Sequence, residues 1–159
     1  MSLTLHAANR FDLAEVYGPR PPAEWAAILW QAEKGITFAF RDATGRAQCV
    51  GGYVPWPAFD VWECWFHAGP QAAPHMLSFV RLARLTLSCL PQDDPRPIEA
   101  AIVSPAGARL VAAVGFRRIG TIGTPVLRSS ELGGGKREHP LSGAVEVWRA
   151  HHERPARTE

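Results

Sequence analysis

Glu63 is the one acidic side chain inside the run Trp62-Glu63-Cys64-Trp65-Phe66. Burial of a carboxylate among aromatic rings would raise its pKa, which suits a general base. The competing assignment is a structural glutamate, hydrogen-bonded within a sheet or reaching water at its edge. Glu99, in the apolar run Ile98–Val103, is the weaker alternate. The other chemistry-bearing types are dispersed. Cys49, Cys64 and Cys89 contain no CxxC pair, and two of them lie in apolar runs, where a small buried thiol is the ordinary reading. The histidines at 6, 67, 75, 139, 151 and 152 show no metal-ligand spacing except the adjacent pair His151-His152, which reads as a solvated tail. Trp25, Trp30, Trp56, Trp62, Trp65 and Trp148 read mostly as core. Trp56, between Pro55 and Pro57, reads as a loop residue able to make an exposed contact.

The elements that must position these side chains follow from periodicity and breakers. Leu3–Ala7 alternates as a strand, and Phe11–Tyr17 is a short helix stopped by Gly18 and Pro19. Pro22 opens a second helix, with Trp25, Ile28, Leu29 and Ala32 at helical spacing and Gly35 closing it in the left-handed conformation. Ile36–Phe40 and Ala47–Val54 flank a turn at Asp42–Gly45 and form a hairpin. Pro55 and Pro57 then interrupt pairing before the strand Phe59–His67, which is apolar on both faces and so belongs at the middle of a sheet.

Pro74–Leu90 is the longest helical segment, with His75, Ser78, Arg81, Arg84 and Ser88 marking its solvated face. Pro91–Pro97 is a loop, and Ile98–Val103 a strand. Ser104 caps a helix that starts at Pro105, runs to Val114 and stops at Gly115. Phe116–Ile122 and Ala144–Ala150 are the last strands. Between them, Arg128–Gly143 with Gly133, Gly134 and Gly135 reads as a mobile loop, and residues 151–159 as a flexible tail on a single domain of residues 1–150.

This order of elements resembles the GNAT (GCN5-related N-acetyltransferase) superfamily. The stretch Ser104-Pro105-Ala106-Gly107-Ala108-Arg109-Leu110-Val111-Ala112-Ala113-Val114-Gly115-Phe116 looks like that family's fourth helix and its Gly-Phe turn. The resemblance implies an α/β (α+β) fold: a mixed, splayed central sheet of six to seven strands flanked by about four helices. Strand 59–67 should lie near the middle, with helices 74–90 and 105–114 on opposite faces or flanks. A narrower likeness runs from Cys49 to Ile119. There Gly51-Gly52, a short loop and Cys64-Trp65-Phe66 leading into a long helix are similar to the GNAT-like internal virion proteins of short-tailed phages.

The resemblance also implies where an acyl-CoA would sit. In GNAT enzymes the third helix is preceded by Arg or Gln, two residues, Gly, any residue, then Gly or Ala, whose N–H groups grip the pyrophosphate. The matching segment here is Gln71-Ala72-Ala73-Pro74-His75-Met76. Gln71 fits, Pro74 removes an N–H at the first glycine, and Met76 places a side chain at the second. Gln71, Ala72, Ala73, His75 and Met76, with Ser104, are therefore the candidate cofactor-binding residues of a degenerate loop, and acetyl-CoA is expected to bind weakly or not at all. The plainer alternative is a strand-to-helix turn with a first-turn proline. The tyrosine that reprotonates the leaving thiolate in many family members is Val111 here, and neither Tyr17 nor Tyr53 falls on that helix. Glu63 stands where the family often carries the carboxylate that deprotonates the amine. Backbone groups near Cys64–His67 would hold the pantetheine arm.

Composition bounds what remains. The 159 residues suit one domain, and 47% apolar with 20% charged residues is the balance of a globular protein. A formal net charge of +2 without a basic stripe disfavours nucleic acid as partner. No window of about 20 apolar residues could span a bilayer, and no signal-like N-terminus precedes the domain. The expected location is the cytoplasm, or a phage particle after assembly. Two functions follow from the resemblance. One is a poorly or non-catalytic GNAT-fold protein of phage or prophage type, associating with phage structural proteins or with itself. The other is a divergent acetyl-CoA-dependent N-acetyltransferase acting on a small-molecule or protein amine.

Overall fold

The computed structural model describes residues 2–91, 93–122 and 145–150. The described elements are β1 (Thr4–Ala7), α1 (Arg10–Tyr17), α2 (Pro22–Lys34), β2 (Ile36–Arg41), β3 (Ala47–Trp56), β4 (Val61–Ala68), a 3-10 turn (Ala73–His75), α3 (Met76–Thr86), a second 3-10 turn (Leu87–Cys89), β5 (Ile98–Ile102), α4 (Pro105–Val114), β6 (Phe116–Ile122) and β7 (Val145–Ala150). The expected loop at 128–143, His139 and the tail from His151 lie outside the described residues.

The strands form one seven-stranded sheet in the order β1-β2-β3-β4-β5-β7-β6. β4 is the fourth of seven, as its apolar character on both faces predicts. Every neighbouring pair is antiparallel except β4 and β5, which run parallel. That pair is joined at two positions only, Trp62 opposite Ile98 and Glu63 opposite Glu99. Beyond Glu63 the strands part, and the sheet is splayed.

Alternation along the strands sends side chains to two apolar layers. Phe40, Cys49, Tyr53, Trp62, Ile98 and Ala150 face the layer that holds Phe79 and Ala83 of α3 and Val111 and Val114 of α4. Ala39 and Val50 face Leu13 and Val16 of α1 and Ile28 of α2, with Trp25, Leu29 and Ala32 packed against them. Helices α3 and α4 thus share one face and touch each other, which corrects the expectation that they lie on opposite faces or flanks. The reason is that α1 and α2 already cover the other face. Arg84 strengthens this contact: its Nε and one terminal nitrogen donate to the Ala113 carbonyl at 2.9 and 2.6 Å, so it is not simply a solvated side chain. His75 is buried rather than on the wet face, and Ser78 Oγ accepts the Leu3 N–H at 2.8 Å. Conversely, Leu77 and Leu85 of α3 are exposed.

Local chemistry explains the boundaries. Asn9 caps α1 by accepting the Phe11 and Asp12 N–H groups, while Asp12 accepts the Asn9 N–H in return. Asp12 is buried and also takes two hydrogen bonds from Arg41, both at 2.9 Å, tying α1 to β2. The sequence Asn9-x-x-Asp12 is the readable sign of this cap. Gly35 ends α2 in an extended conformation, φ −118°, and not in the left-handed one expected. Glycine is needed there for space, since a Cβ would stand 2.2 Å from the Tyr53 carbonyl oxygen. Gly115 does take the left-handed conformation, φ 117°, and releases the chain from α4 into the buried Phe116.

Pairing is interrupted at Pro57 as expected, but not at Pro55. Strand β3 continues to Trp56, with Pro55 opposite Trp62 and Trp56 opposite Val61. Its other neighbour, β2, ends opposite Tyr53, so Pro55 has a strand partner on one side only, where a missing N–H is tolerated. Phe59 falls in the turn that follows and not in β4. Asp60 takes φ 53° there, and Phe59 is 73% exposed.

Candidate active site

The parting of β4 and β5 opens a cleft of about 610 Å³. Its walls are the two diverging strands, the segment that leads into α3, and the first turns of α4. Within it, the facing backbone edges of Cys64–Ala68 and Ala100–Ile102 lack a partner strand, because the β4–β5 ladder stops at Glu63 and Glu99. Unpaired strand edges of this kind are ready to hydrogen-bond an extended amide-bearing arm.

Of the residues expected to hold a cofactor, Ala72, Ala73, Met76 and Ser104 line this cleft. Gln71 is exposed and His75 is buried, and neither of them lines it. Ser104 is occupied as the α4 cap, its Oγ accepting the Gly107 N–H at 3.0 Å. The turn before α3 consumes several of its own donors: Ala72 N–H goes to the Gly69 carbonyl, His75 N–H to Ala72 and Met76 N–H to Ala73. Pro74 has none to give. Met76 also packs against the core, so its side chain is structural as well as cleft-lining.

Glu63 occupies the last position at which β4 pairs with β5, at the point of divergence. It is half-buried, not enclosed among rings as the aromatic run implied. Trp56 Nε1 donates a short hydrogen bond to one of its carboxylate oxygens. Trp56 is therefore half-buried at a strand end and tied to Glu63, not an exposed loop contact. Glu63 lines both the cleft and a second cavity, of about 680 Å³, bounded by Trp56, Phe59, Asp60, Glu99 and Arg149 among others. Glu99, the alternate carboxylate, is taken up by Arg149, whose Nε and terminal nitrogen donate to Glu99 Oε1 at 3.1 and 2.5 Å. Sequence reading missed Arg149 and Phe59. Arg149 lies 50 residues beyond Glu99, and only cross-strand register brings them together.

Val111, at the position where the resemblance implies a tyrosine, is buried and lines the cleft. Tyr53 does not substitute: its hydroxyl is buried in a 2.7 Å hydrogen bond with Thr86 Oγ1. Tyr17 stacks on His67 at 4.2 Å and lines neither cavity. Cys64 does line the cleft, and burial, with Glu63 beside it, pushes its thiol up to about 12. A thiol held protonated in this way is a poor acyl-accepting nucleophile. Iodoacetamide at pH 8 is expected to label the exposed Cys89 and leave Cys64 unmodified, as peptide mass mapping would show. Rapid alkylation of Cys64 would contradict this. Among the described residues no group of His, Cys, Asp and Glu could hold a metal ion, and no helix is long and apolar enough to cross a membrane.

No protein-family model matches the sequence, and no curated protein matches it either. Solved structures do match in fold. A GCN5-related N-acetyltransferase from Kribbella flavida aligns with TM-score 0.65 and 19% identity, covering 93% of this chain and 96% of that one. A GNAT superfamily phosphinothricin acetyltransferase from Sinorhizobium meliloti, in complex with acetyl-CoA, aligns with TM-score 0.63 and 18% identity over 94% and 88%. A GNAT family acetyltransferase from Elizabethkingia anophelis with acetyl-CoA bound aligns with TM-score 0.61 and 11% identity over 95% and 99%. These neighbours lend nothing to the narrower likeness to phage virion proteins. At such identities the similarity establishes architecture: the chain has the splayed, mixed-sheet fold of the GNAT acetyltransferases.

Proposed function

We propose that this chain is an acyl-CoA-dependent N-acyltransferase in which Glu63 takes the proton from an acceptor amine. One observation carries the reading. Glu63 stands where β4 and β5 part and lines both the cleft and the second cavity, so a donor in one and an amine in the other would meet at its carboxylate. The residues present fit the donor unevenly. The unpaired edges of Cys64–Ala68 and Ala100–Ile102 suit a pantetheine arm, whereas the turn before α3 offers few N–H groups to a pyrophosphate. When bound, acyl-CoA supplies an activated thioester carbonyl.

The chain's own contributions are positional and acid–base. Trp56 holds one Glu63 oxygen and leaves the other to accept the ammonium proton, which frees the nitrogen lone pair. Val111 and the neutral Cys64 keep the cleft apolar. α4 carries no tyrosine, so as the N–C bond forms and the C–S bond breaks, the second proton given up by the amine would reach the leaving sulfur through water, giving the N-acyl amine and free CoA thiol. The transfer is direct, without an acyl-enzyme. The test is amine-dependent release of free CoA thiol from acetyl-CoA, with the N-acetyl product identified by mass. Absence of both acetyl-CoA binding and release would favour the rival reading, a non-catalytic interaction protein of phage type.

The thinned pyrophosphate grip makes a further expectation. Pro74→Gly restores one donor at a position exposed to solvent, so affinity for acetyl-CoA should rise about tenfold, the worth of one hydrogen bond to a charged group. Calorimetric titration checks this, and an unchanged affinity would remove Pro74 as the cause of weak binding. Met76→Gly is a poorer probe, because it also strips a side chain from the core.

A further inference from the structure

Resting on that reading, we propose that the second cavity is the acceptor subsite. We further propose that it takes a primary amine borne on a flat apolar body, such as an arylalkylamine, in preference to an amino acid or a polyamine.

Of the four charged residues that line the cavity, three stand at one level of the sheet and the fourth, Asp60, lies in the β3–β4 turn. Glu63 lies opposite Glu99 on β5, and Glu99 lies opposite Arg149 on β7, so the three occupy one row across adjacent strands. Within that row Arg149 is committed to Glu99 by two hydrogen bonds. An acceptor carboxylate would therefore have no uncommitted cation to meet among the described lining residues, and it would face Glu63 and Asp60 as well. This disfavours α-amino acids. With Glu99 neutralised, Glu63 in the row and Asp60 in the turn are the carboxylates of the lining left to meet ammonium groups, fewer than the three that spermidine carries.

Away from the row and Asp60 the lining is apolar, and Trp56 and Phe59 give it an aromatic wall. Trp56 sits between Trp30 of α2 and Phe59 of the β3–β4 turn, with ring centroids 5.6 and 6.3 Å away. Phe59 is 73% exposed and lines the cavity, so its ring presents area that a bound ring could cover. A large exposed aromatic beside a cavity, in an otherwise well-packed sheet, marks a binding surface. One cationic end at Glu63 and one flat apolar end against Phe59 and Trp56 describe the ligand.

The experiment needs no acetyl-CoA in its first arm. Tryptophan fluorescence of the full chain is titrated with 2-phenylethylamine, spermidine and glutamate, since Trp56 reports on the cavity directly. The expected order is 2-phenylethylamine at least about tenfold tighter than either competitor, with Phe59→Ala reducing that affinity about tenfold. Phe59 is mostly exposed, so the variant should unfold at the same urea concentration as the parent chain. A second arm measures acetylation of the same three compounds. Binding of 2-phenylethylamine without acetyl-CoA binding would leave the subsite standing and remove the transferase reading. Acetylation that prefers spermidine or glutamate would do the reverse. No binding of 2-phenylethylamine, or binding indifferent to Phe59→Ala, overturns the proposal.

Discussion

Glu63→Gln should lower kcat for amine acetylation by about 10²–10⁴-fold, the span that a positioned general base contributes. Acetyl-CoA affinity should change little, because the cleft edges and the α3 turn are untouched. The substitution is a fair probe because glutamine keeps an oxygen able to accept the Trp56 Nε1–H, so the side chain retains its anchor and loses only its proton-accepting charge. Trp56→Phe should have a smaller effect on the same step, since it frees the carboxylate without removing it. Retained activity in Glu63→Gln, with the fold intact by circular dichroism, would pass the role of base to Asp60 or to water.

Phe79→Ala should destabilise the protein by about 3–5 kcal/mol, within the range for emptying a large buried aromatic site. Phe79 is buried and meets Phe40 edge-on at 4.7 Å and Phe66 at 5.3 Å. It is thus the side chain that keys α3 to both the second strand and the cleft-lining fourth. Against an ordinary total of about 5–15 kcal/mol, the loss takes a large share. Urea unfolding should show a lowered midpoint with an unchanged slope. Because Phe66 also lines the cleft, the same variant should weaken acetyl-CoA binding, whereas a purely peripheral role for Phe79 would leave both measurements close to the parent's.

Much of this architecture is written in local signals. Periodicity locates every described helix to within a few residues. The doubly apolar run around Trp62–Phe66 places β4 at mid-sheet, and Ser104-Pro105 with Gly115-Phe116 bounds α4 at both ends. Each of these is set by residues within a turn or two of one another, where backbone geometry leaves few choices. Glu63 too could be singled out, because a carboxylate among aromatics is unusual by type alone.

What the tertiary structure decided is everything that joins distant segments. Whether α3 and α4 share a face depends on which face α1 and α2 have already covered, and no period within α3 records that. Gly35 is glycine because the Tyr53 carbonyl passes 2.2 Å from its missing Cβ, a clash made only by sheet pairing. Trp56 reads as a loop contact from its flanking prolines, yet it becomes the anchor of Glu63 once β3 pairs with β4 through Pro55. Phe59 looks like the start of a strand, and the left-handed turn at Asp60 puts it outside as an exposed ring. Glu63, Glu99 and Arg149 form one row only because a parallel and an antiparallel ladder set three strands at a common level. Side-chain type fixes what each of these residues can do, and long-range pairing fixes which partner it does it with.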